Sequence, residues 1–178
     1  MKVLITGAQG QLGFSLIQAF DKPSYTIYPF SKKDLDITDF SKSQSIIREI
    51  QPDIIMNAAS YTQVDACEKN VGLAFQINTI GIHNVTRICR EYDITLAQFS
   101  TDYVFDGAQS SPYQEDDSPA PLNIYGISKL AGENLIKAHL EKYYIFRTSG
   151  LFGGNSQSNF VNKIMGTATG IKNESGTS

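Results

Sequence analysis

The sequence predicts an α/β chain built as a doubly wound parallel sheet. Short apolar strand patterns alternate with amphipathic helix patterns from the first residues onward. Alternation of that kind places parallel strands between two layers of helices. The first strand pattern also runs directly into Gly7-x-x-Gly10-x-x-Gly13, the strand–turn–helix setting in which glycine turns hold phosphates.

Val3, Leu4 and Ile5 make residues 3–6 the first strand. A glycine where the strand turns into a helix tolerates dihedrals that a Cβ would forbid. Bare backbone there lets a pyrophosphate approach, and the helix N-terminus offers it free N–H groups and a positive dipole end. Residues 10–20 form that helix, with Leu12, Leu16, Ile17 and Phe20 on its apolar side. Residues 26–30 are the second strand. Residues 41–50 are the second helix, with Ile46, Ile47 and Ile50 on one face and Pro52 helping to stop it. Residues 53–57 (Asp-Ile-Ile-Met-Asn) read as the third strand. Residues 74–91 read as one long helix burying Ile77, Ile80, Val85 and Ile88. A fourth strand at 95–100, a helix at 125–141 and a fifth strand at 143–147 complete the pattern.

Ligands in such sheets sit beyond the carboxyl ends of the strands. Thr6, Gly7, Ser31 and residues 57–61, 100–102 and 147–149 fall at those ends and are expected to line one cleft. Residues 107–122 carry Pro112, Pro119 and Pro121 beside acidic Glu115, Asp116 and Asp117. They are expected to be irregular and to arch over the cleft edge. Residues 166–178 are rich in Gly, Thr and Ser without a hydrophobic pattern and read as a disordered or non-native tail. Residues 1–165 then form one nucleotide-binding domain, which 178 residues suffice to pack.

Bulk properties narrow the function classes. With 41% apolar and 19% charged residues the chain has the balance of a soluble globular protein. A net charge of −3 argues against nucleic acid or an anionic membrane as partner. No apolar run reaches the length of a membrane span, and a strand at the very start leaves no room for a signal peptide. Cys67 and Cys89 form no C-x-x-C pair. Isolated thiols fit inert packing roles in a reducing cytoplasm. His83 and His139 lack metal-like neighbours in sequence, so no metal is expected.

Tyr125-Gly-Ile-Ser-Lys129 places a phenol and an ammonium four residues apart at the start of a helix, on one face. A free phenol titrates near about 10, too high for efficient proton exchange near neutrality. A neighbouring cation favours phenolate, and a shift of about three units needs roughly 4 kcal/mol of differential stabilisation. One exposed charge supplies less, so a cationic nicotinamide and a water-poor cleft have to contribute. The spacing alone is weak: Tyr28-Pro-Phe-Ser-Lys32 has it at a strand end. The company of Tyr125 adds weight. Ser100 and Thr101 end the fourth strand and can offer hydroxyls to a carbonyl oxygen that gains charge when hydride arrives. Taken singly, either hydroxyl could equally satisfy local backbone groups.

In these segments the chain resembles an extended short-chain dehydrogenase/reductase, and specifically the dTDP-4-dehydrorhamnose reductase family. The likeness runs through Ile5-Thr6-Gly7-Ala8-Gln9-Gly10-Gln11-Leu12-Gly13, residues 34–39, Asn57-Ala58-Ala59-Ser60-Tyr61-Thr62 and Val64-Asp65. It continues through residues 100–107, Pro112-Tyr113 with Glu115, residues 121–126 and 128–133, and Arg147-Thr148-Ser149. The resemblance implies a Rossmann-like domain and an NAD(P)H-dependent oxidoreductase. Tyr125 would give a proton to the C4 carbonyl oxygen of a nucleotide-linked keto-sugar, yielding dTDP-L-rhamnose. Lys129 would hold the nicotinamide ribose and acidify Tyr125, while Thr101 and Asp102 contact the sugar. Gly7, Gly10, Gln11, Leu12 and Gly13 would hold the pyrophosphate. Asp36 and Ile37 would meet the adenine side, and Ala59, Ser60, Tyr61 and Ser100 the cofactor cleft. A homodimer is compatible with the resemblance.

Cofactor preference follows from charge. A carboxylate ending the second strand would bind a ribose 2′-OH and repel a 2′-phosphate. Here that end reads Phe30-Ser31-Lys32-Lys33, so NADPH is the expected cofactor, with NADH a possible substitute.

The chain departs from the family in two places. The family usually places an aromatic residue, often Trp, after Arg-Thr-Ser, where this chain has Gly150 and no Trp at all; Phe152 is the available replacement. Family members are also considerably longer, and their C-terminal part supplies most of the substrate lobe. The expectation is therefore a C-terminally truncated chain with little reductase activity of its own. Nucleotide-sugar 4,6-dehydratases fit less well, because Asp102 is followed by Tyr103 rather than a second acid. Epimerases, which typically lack the Asp, also fit less well. A non-catalytic NADP-binding regulatory subunit, like the methionine adenosyltransferase beta subunit, stays open as an alternative.

Overall fold

The computed structural model describes residues 1–153 together with Val161 and Ile164. Five parallel strands, β1 (Lys2–Thr6), β2 (Thr26–Phe30), β3 (Ile54–Asn57), β4 (Thr95–Thr101) and β5 (Tyr143–Thr148), lie in the order β2-β1-β3-β4-β5. Helices α1 (Gln11–Phe20), α2 (Phe40–Ile50), α3 (Val64–Lys69), α4 (Val71–Phe75), α5 (Ile82–Glu91) and α6 (Ile124–His139) connect them. The doubly wound sheet expected from the alternation is present. The tail at 166–178 lies outside the described residues.

Helices cover both faces of the sheet at its centre, as near-continuous apolar strands require, whereas Tyr144 and Phe146 on edge strand β5 are exposed. Side chains alternate across β1. Leu4 points into a core with Ile47 of α2, Ile82, Val85 and Ile88 of α5, and Ile136 of α6. Val3 and Ile5 point the other way, against Leu16, Ile17 and Phe20 of α1. The order reverses at β1, which sits between β2 and β3, and a crevice opens there beyond the strand ends.

The region read as one helix over 74–91 is helical throughout but not uniform: it is the end of α4, a π-helical turn at Gln76–Gly81 and α5. Ile80 lies on that turn and is 44% exposed, so it is not a core residue. The extra residue of a π turn rotates the helix face, which a simple period of 3.6 misplaces. Cys67 and Cys89 are buried and unpaired, and burial pushes both thiols up. Among the described residues, no helix is long and apolar enough to cross a membrane.

Candidate active site

Two cavities that share Gly10, Ala58 and Ser60 open at the carboxyl ends of the strands. The larger, about 400 Å³, is lined by Gly10, Gln11, Leu12 and Gly13 on one side and by Thr101, Tyr125 and Lys129 on another. The smaller, about 230 Å³, is lined by Gly7, Lys32, Asp36, Ile37 and Ala59 among others.

The glycine turn is built for close approach. Gly7 has φ +64°, and a Cβ there would stand 2.7 Å from Ala59 N, where β1 and β3 end side by side. Helix α1 begins at Gly10 with no side-chain cap and no acidic residue in its first turn. Its leading N–H groups therefore keep their affinity for an anion, and the residues that carry them face the larger cavity.

A buried polar chain ties that turn to the opposite wall. Thr6 Oγ1 donates to Asn57 Oδ1 at 2.5 Å, and Asn57 Nδ2 donates to Gln98 Oε1 at 2.8 Å. Gln98 Nε2 donates to the Phe99 carbonyl at 2.8 Å, and the same oxygen accepts from Lys129 Nζ at 2.6 Å. Lys129 Nζ also reaches Ser60 Oγ at 3.4 Å. Thr6 and Asn57, expected to line the cleft, are buried beneath it instead, and Gln98 went unnoticed in the sequence. The available signal was a polar residue near the end of successive parallel strands, and the register pairs Thr6 with Asn57 and Asn57 with Gln98.

Helix α6 presents Tyr125 and Lys129. Asn123 caps it by accepting from Gly126 N at 2.8 Å, which sets Tyr125 in the first turn and Lys129 one turn further on. Gly126 permits the contact that brings this end of α6 onto the 3-10 turn Asp102–Val104, where a Cβ would overlap the Tyr103 carbonyl. Tyr125 is 9% exposed and Lys129 4%. Burial pushes Lys129 down to about 8, against the pull of Glu133. Burial likewise pushes Tyr125 up, and the hydrogen bond with Thr101 opposes it. In the chain by itself burial therefore outweighs the acidification that the spacing suggested. The ammonium is spent on the Phe99 carbonyl and Ser60, and the low-polarity wall around Tyr125 favours its neutral form.

Other expected residues are placed differently. Ser100 borders the larger cavity, but its hydroxyl turns inward to Glu133 Oε1 at 2.5 Å. Ser31 lines neither cavity; it is buried and donates to Asp34 Oδ2 at 2.5 Å. Tyr61 lines neither cavity either: its backbone N–H and C=O are both held by the Asn78 side chain. Arg147 turns from the cleft to Glu133, while Thr148, Ser149, Gly150 and Leu151 line it. Phe152 is 75% exposed and lines neither cavity, so Leu151 is the apolar side chain present after Gly150. Residues 107–122 form no regular element and line neither cavity. The Glu115 carbonyl accepts from Arg147 Nη1, which sets this loop beside β5 rather than over the cleft.

In the smaller cavity, Asp36 Oδ1 accepts from Thr38 N and Oγ1 at 3.0 and 2.8 Å, and Lys32 Nζ lies 4.0 Å from Asp36 Oδ2. Burial pulls the Asp36 carboxyl up, yet the Thr38 bonds and Lys32 hold it below the usual carboxylate range. His83 and His139 pack ring against ring, centroids 5.7 Å apart. Among the described residues, no group of three or more His, Cys, Asp or Glu could hold a metal.

The comparisons with known proteins agree with this fold. The sequence is 40% identical over 168 residues to the spore coat polysaccharide biosynthesis protein SpsK of Bacillus subtilis, covering 92% of this chain and 58% of that protein. It is 36% identical over 169 residues to the dTDP-4-dehydrorhamnose reductase of Escherichia coli K12, covering 93% and 56%. A crystal structure of dTDP-4-dehydrorhamnose reductase from Bacillus anthracis in complex with NADP superimposes with a TM-score of 0.92 at 45% identity, over 96% of this chain and 61% of that one. The chain thus spans somewhat more than half the length of the curated relatives it matches. The family description "RmlD substrate binding domain" matches residues 1–174, nearly the whole sequence, and the chain belongs to that family.

Proposed function

We propose that the protein reduces the C4 keto group of a nucleotide-linked deoxysugar, converting dTDP-4-dehydrorhamnose to dTDP-L-rhamnose with NADPH. One observation carries this reading: Tyr125, Lys129 and Thr101 face the same cavity as the Gly10–Gly13 turn. Relatives named dTDP-4-dehydrorhamnose reductase and the neighbour solved with NADP support it.

The residues present fit a dinucleotide. The uncapped start of α1, at Gln11 and Leu12, suits a pyrophosphate, and the bare Gly7 and Gly13 let α1 pack close onto the ends of β1 and β3, where it can present those N–H groups. Lys32, Asp36 and Ile37 would border the adenosine end, and Ser60 and Lys129 the ribose of the other end. When bound, the reduced cofactor supplies the hydride. The chain supplies the proton and the surroundings. Burial keeps the proton on the Tyr125 hydroxyl, which suits a donor to a carbonyl oxygen that gains negative charge. The Thr101 hydroxyl can stabilise that oxygen by a second hydrogen bond. Lys129 opposes the charge left on the phenolate afterwards.

The test uses the protein at its native length. NADPH oxidation in the presence of dTDP-4-dehydrorhamnose is expected. Tyr125→Phe is expected to lower kcat by about 10²–10⁴-fold, the usual share of a general acid, while NADPH still binds. Tight NADPH binding without turnover by the unmodified protein would instead favour a regulatory subunit.

A further inference from the structure

Glu133 is a buried carboxylate with no role in the reading above. It is 1% exposed and lies one turn beyond Lys129 on the same face of α6. Arg147 grips it from β5, with Nε donating at 3.1 and 3.2 Å to the two carboxylate oxygens and Nη2 at 2.7 Å. Lys137 Nζ lies 3.6 Å from Oε2. The remaining partner is Ser100, whose hydroxyl donates to Oε1 at 2.5 Å. Ser100 stands between the carbonyl that holds Lys129, on Phe99, and the hydroxyl that faces the cavity, on Thr101.

We propose that Glu133 is the positioning residue of this site, anchoring the end of β4 through Ser100 and setting a buried negative charge one turn from Lys129 on the same face of α6. The inference rests on the reductase reading for its meaning but can be tested without turnover. A core position that needed only volume would be filled more cheaply by an apolar side chain, since ion pairs in such places rarely repay their desolvation. Here the carboxylate ties α6 to β4 and β5, and its contact on β4 ends on Ser100, which borders the cavity. Arg147 in turn lies over the Phe105 ring at 4.9 Å, joining the loop after β4 to the same anchor.

The charged and titratable groups around Lys129 are Tyr125 and Glu133 on α6 itself, Asp102 after β4, Cys67 on α3 behind the phenol, and Arg147 on β5. Removing the Glu133 charge leaves Arg147 uncompensated, so both effects disfavour the Lys129 cation. A general loosening of α6 acts in the opposite sense, because water entering the site restores ordinary lysine behaviour.

The experiment is a carbon-13 NMR titration of the lysine ε-carbons in the protein without added cofactor, with Lys129 assigned by substitution. Glu133→Gln is expected to move the Lys129 midpoint down from about 8 by at least one pH unit, a tenfold change in its protonation constant. Glu133→Asp, which keeps the charge, is expected to restore most of the shift. A midpoint that stays put or rises in Glu133→Gln overturns the proposal. Ser100→Ala spares every charge and serves if Glu133→Gln does not fold: kcat is expected to fall at least tenfold with the midpoint unmoved. A kcat within twofold of the unmodified protein overturns the anchoring role. An unmodified protein that lacks turnover defeats the reductase reading alone, and the titration still decides the role of Glu133.

Discussion

The backbone of Gly13 lies so close to Gly7 that a Cβ on Gly13 would overlap the Gly7 carbonyl oxygen and stand 2.7 Å from Ala8 Cα. Neither neighbour can swing aside, since both are main chain. Helix α1 packs this tightly onto the end of β1 because Gly13 has no side chain. Gly13→Ala must therefore push α1 outward. We expect a loss of about 1–3 kcal/mol in urea unfolding, the usual cost of overpacking, and weaker NADPH binding from the displaced N-terminus.

Asn78, on the π turn, has no exposed surface and uses its whole amide. Its oxygen accepts from Ser60 Oγ at 2.9 Å and Tyr61 N at 2.8 Å. Its nitrogen donates to the Tyr61 carbonyl at 3.0 Å and Ser128 Oγ at 3.1 Å. Asn78→Ala strands several buried groups at once, and leaving such a group unpaired costs about 1–3 kcal/mol. We expect a destabilisation of about 2–4 kcal/mol by denaturant titration. Asn78→Asp, which can accept but not donate, is expected to rescue little.

That amide marks where the sequence stops being legible. Strand β2 falls where the pattern put it, and the other strands agree within a residue, because each is a short apolar run bounded by turn residues. The glycine turn is readable from its place between strand and helix, and Tyr125 and Lys129 from their spacing together with Ser100 and Thr101. The segment before α5 was not, since its shape answers to Asn78 reaching Tyr61 and Ser128 across the fold rather than to helical periodicity. Gln98 and the buried partners of Asn57 and Glu133 escaped for the same reason. A lone polar residue in an apolar stretch discloses nothing of its partner until the sheet register supplies one.

Lys129 makes stability depend on pH. Its folded pKa of about 8 lies below the ordinary 10.5. Between those values the unfolded chain holds a proton that the folded chain has released, so stability rises with pH through that window. Below it the buried cation carries its full penalty. Lys129→Met removes this dependence. The stability of the unmodified protein relative to Lys129→Met is expected to rise by about 2 kcal/mol between pH 7 and 10. Urea unfolding at the two pH values measures it, and a flat difference would mean that Lys129 is solvated.

Lys32 is expected to decide which dinucleotide fits best. It borders the smaller cavity, and its ammonium lies 4.0 Å from Asp36. Asp36 is the carboxylate of that cavity's lining, but Thr38 and Lys32 already engage it, which limits its repulsion of a phosphate. The Lys32 side chain is 72% exposed and can turn toward an incoming anion at little cost. A ribose 2′-phosphate would find a cation here, whereas a bare 2′-OH would gain much less. Lys32→Glu reverses the sign and adds a second acid beside Asp36. We expect the ratio of KM for NADPH to KM for NADH to rise at least tenfold in this variant, with kcat for each cofactor little changed. An unaltered ratio would show Lys32 to be solvated surface, and selection of the 2′-phosphate would then lie elsewhere in the cavity.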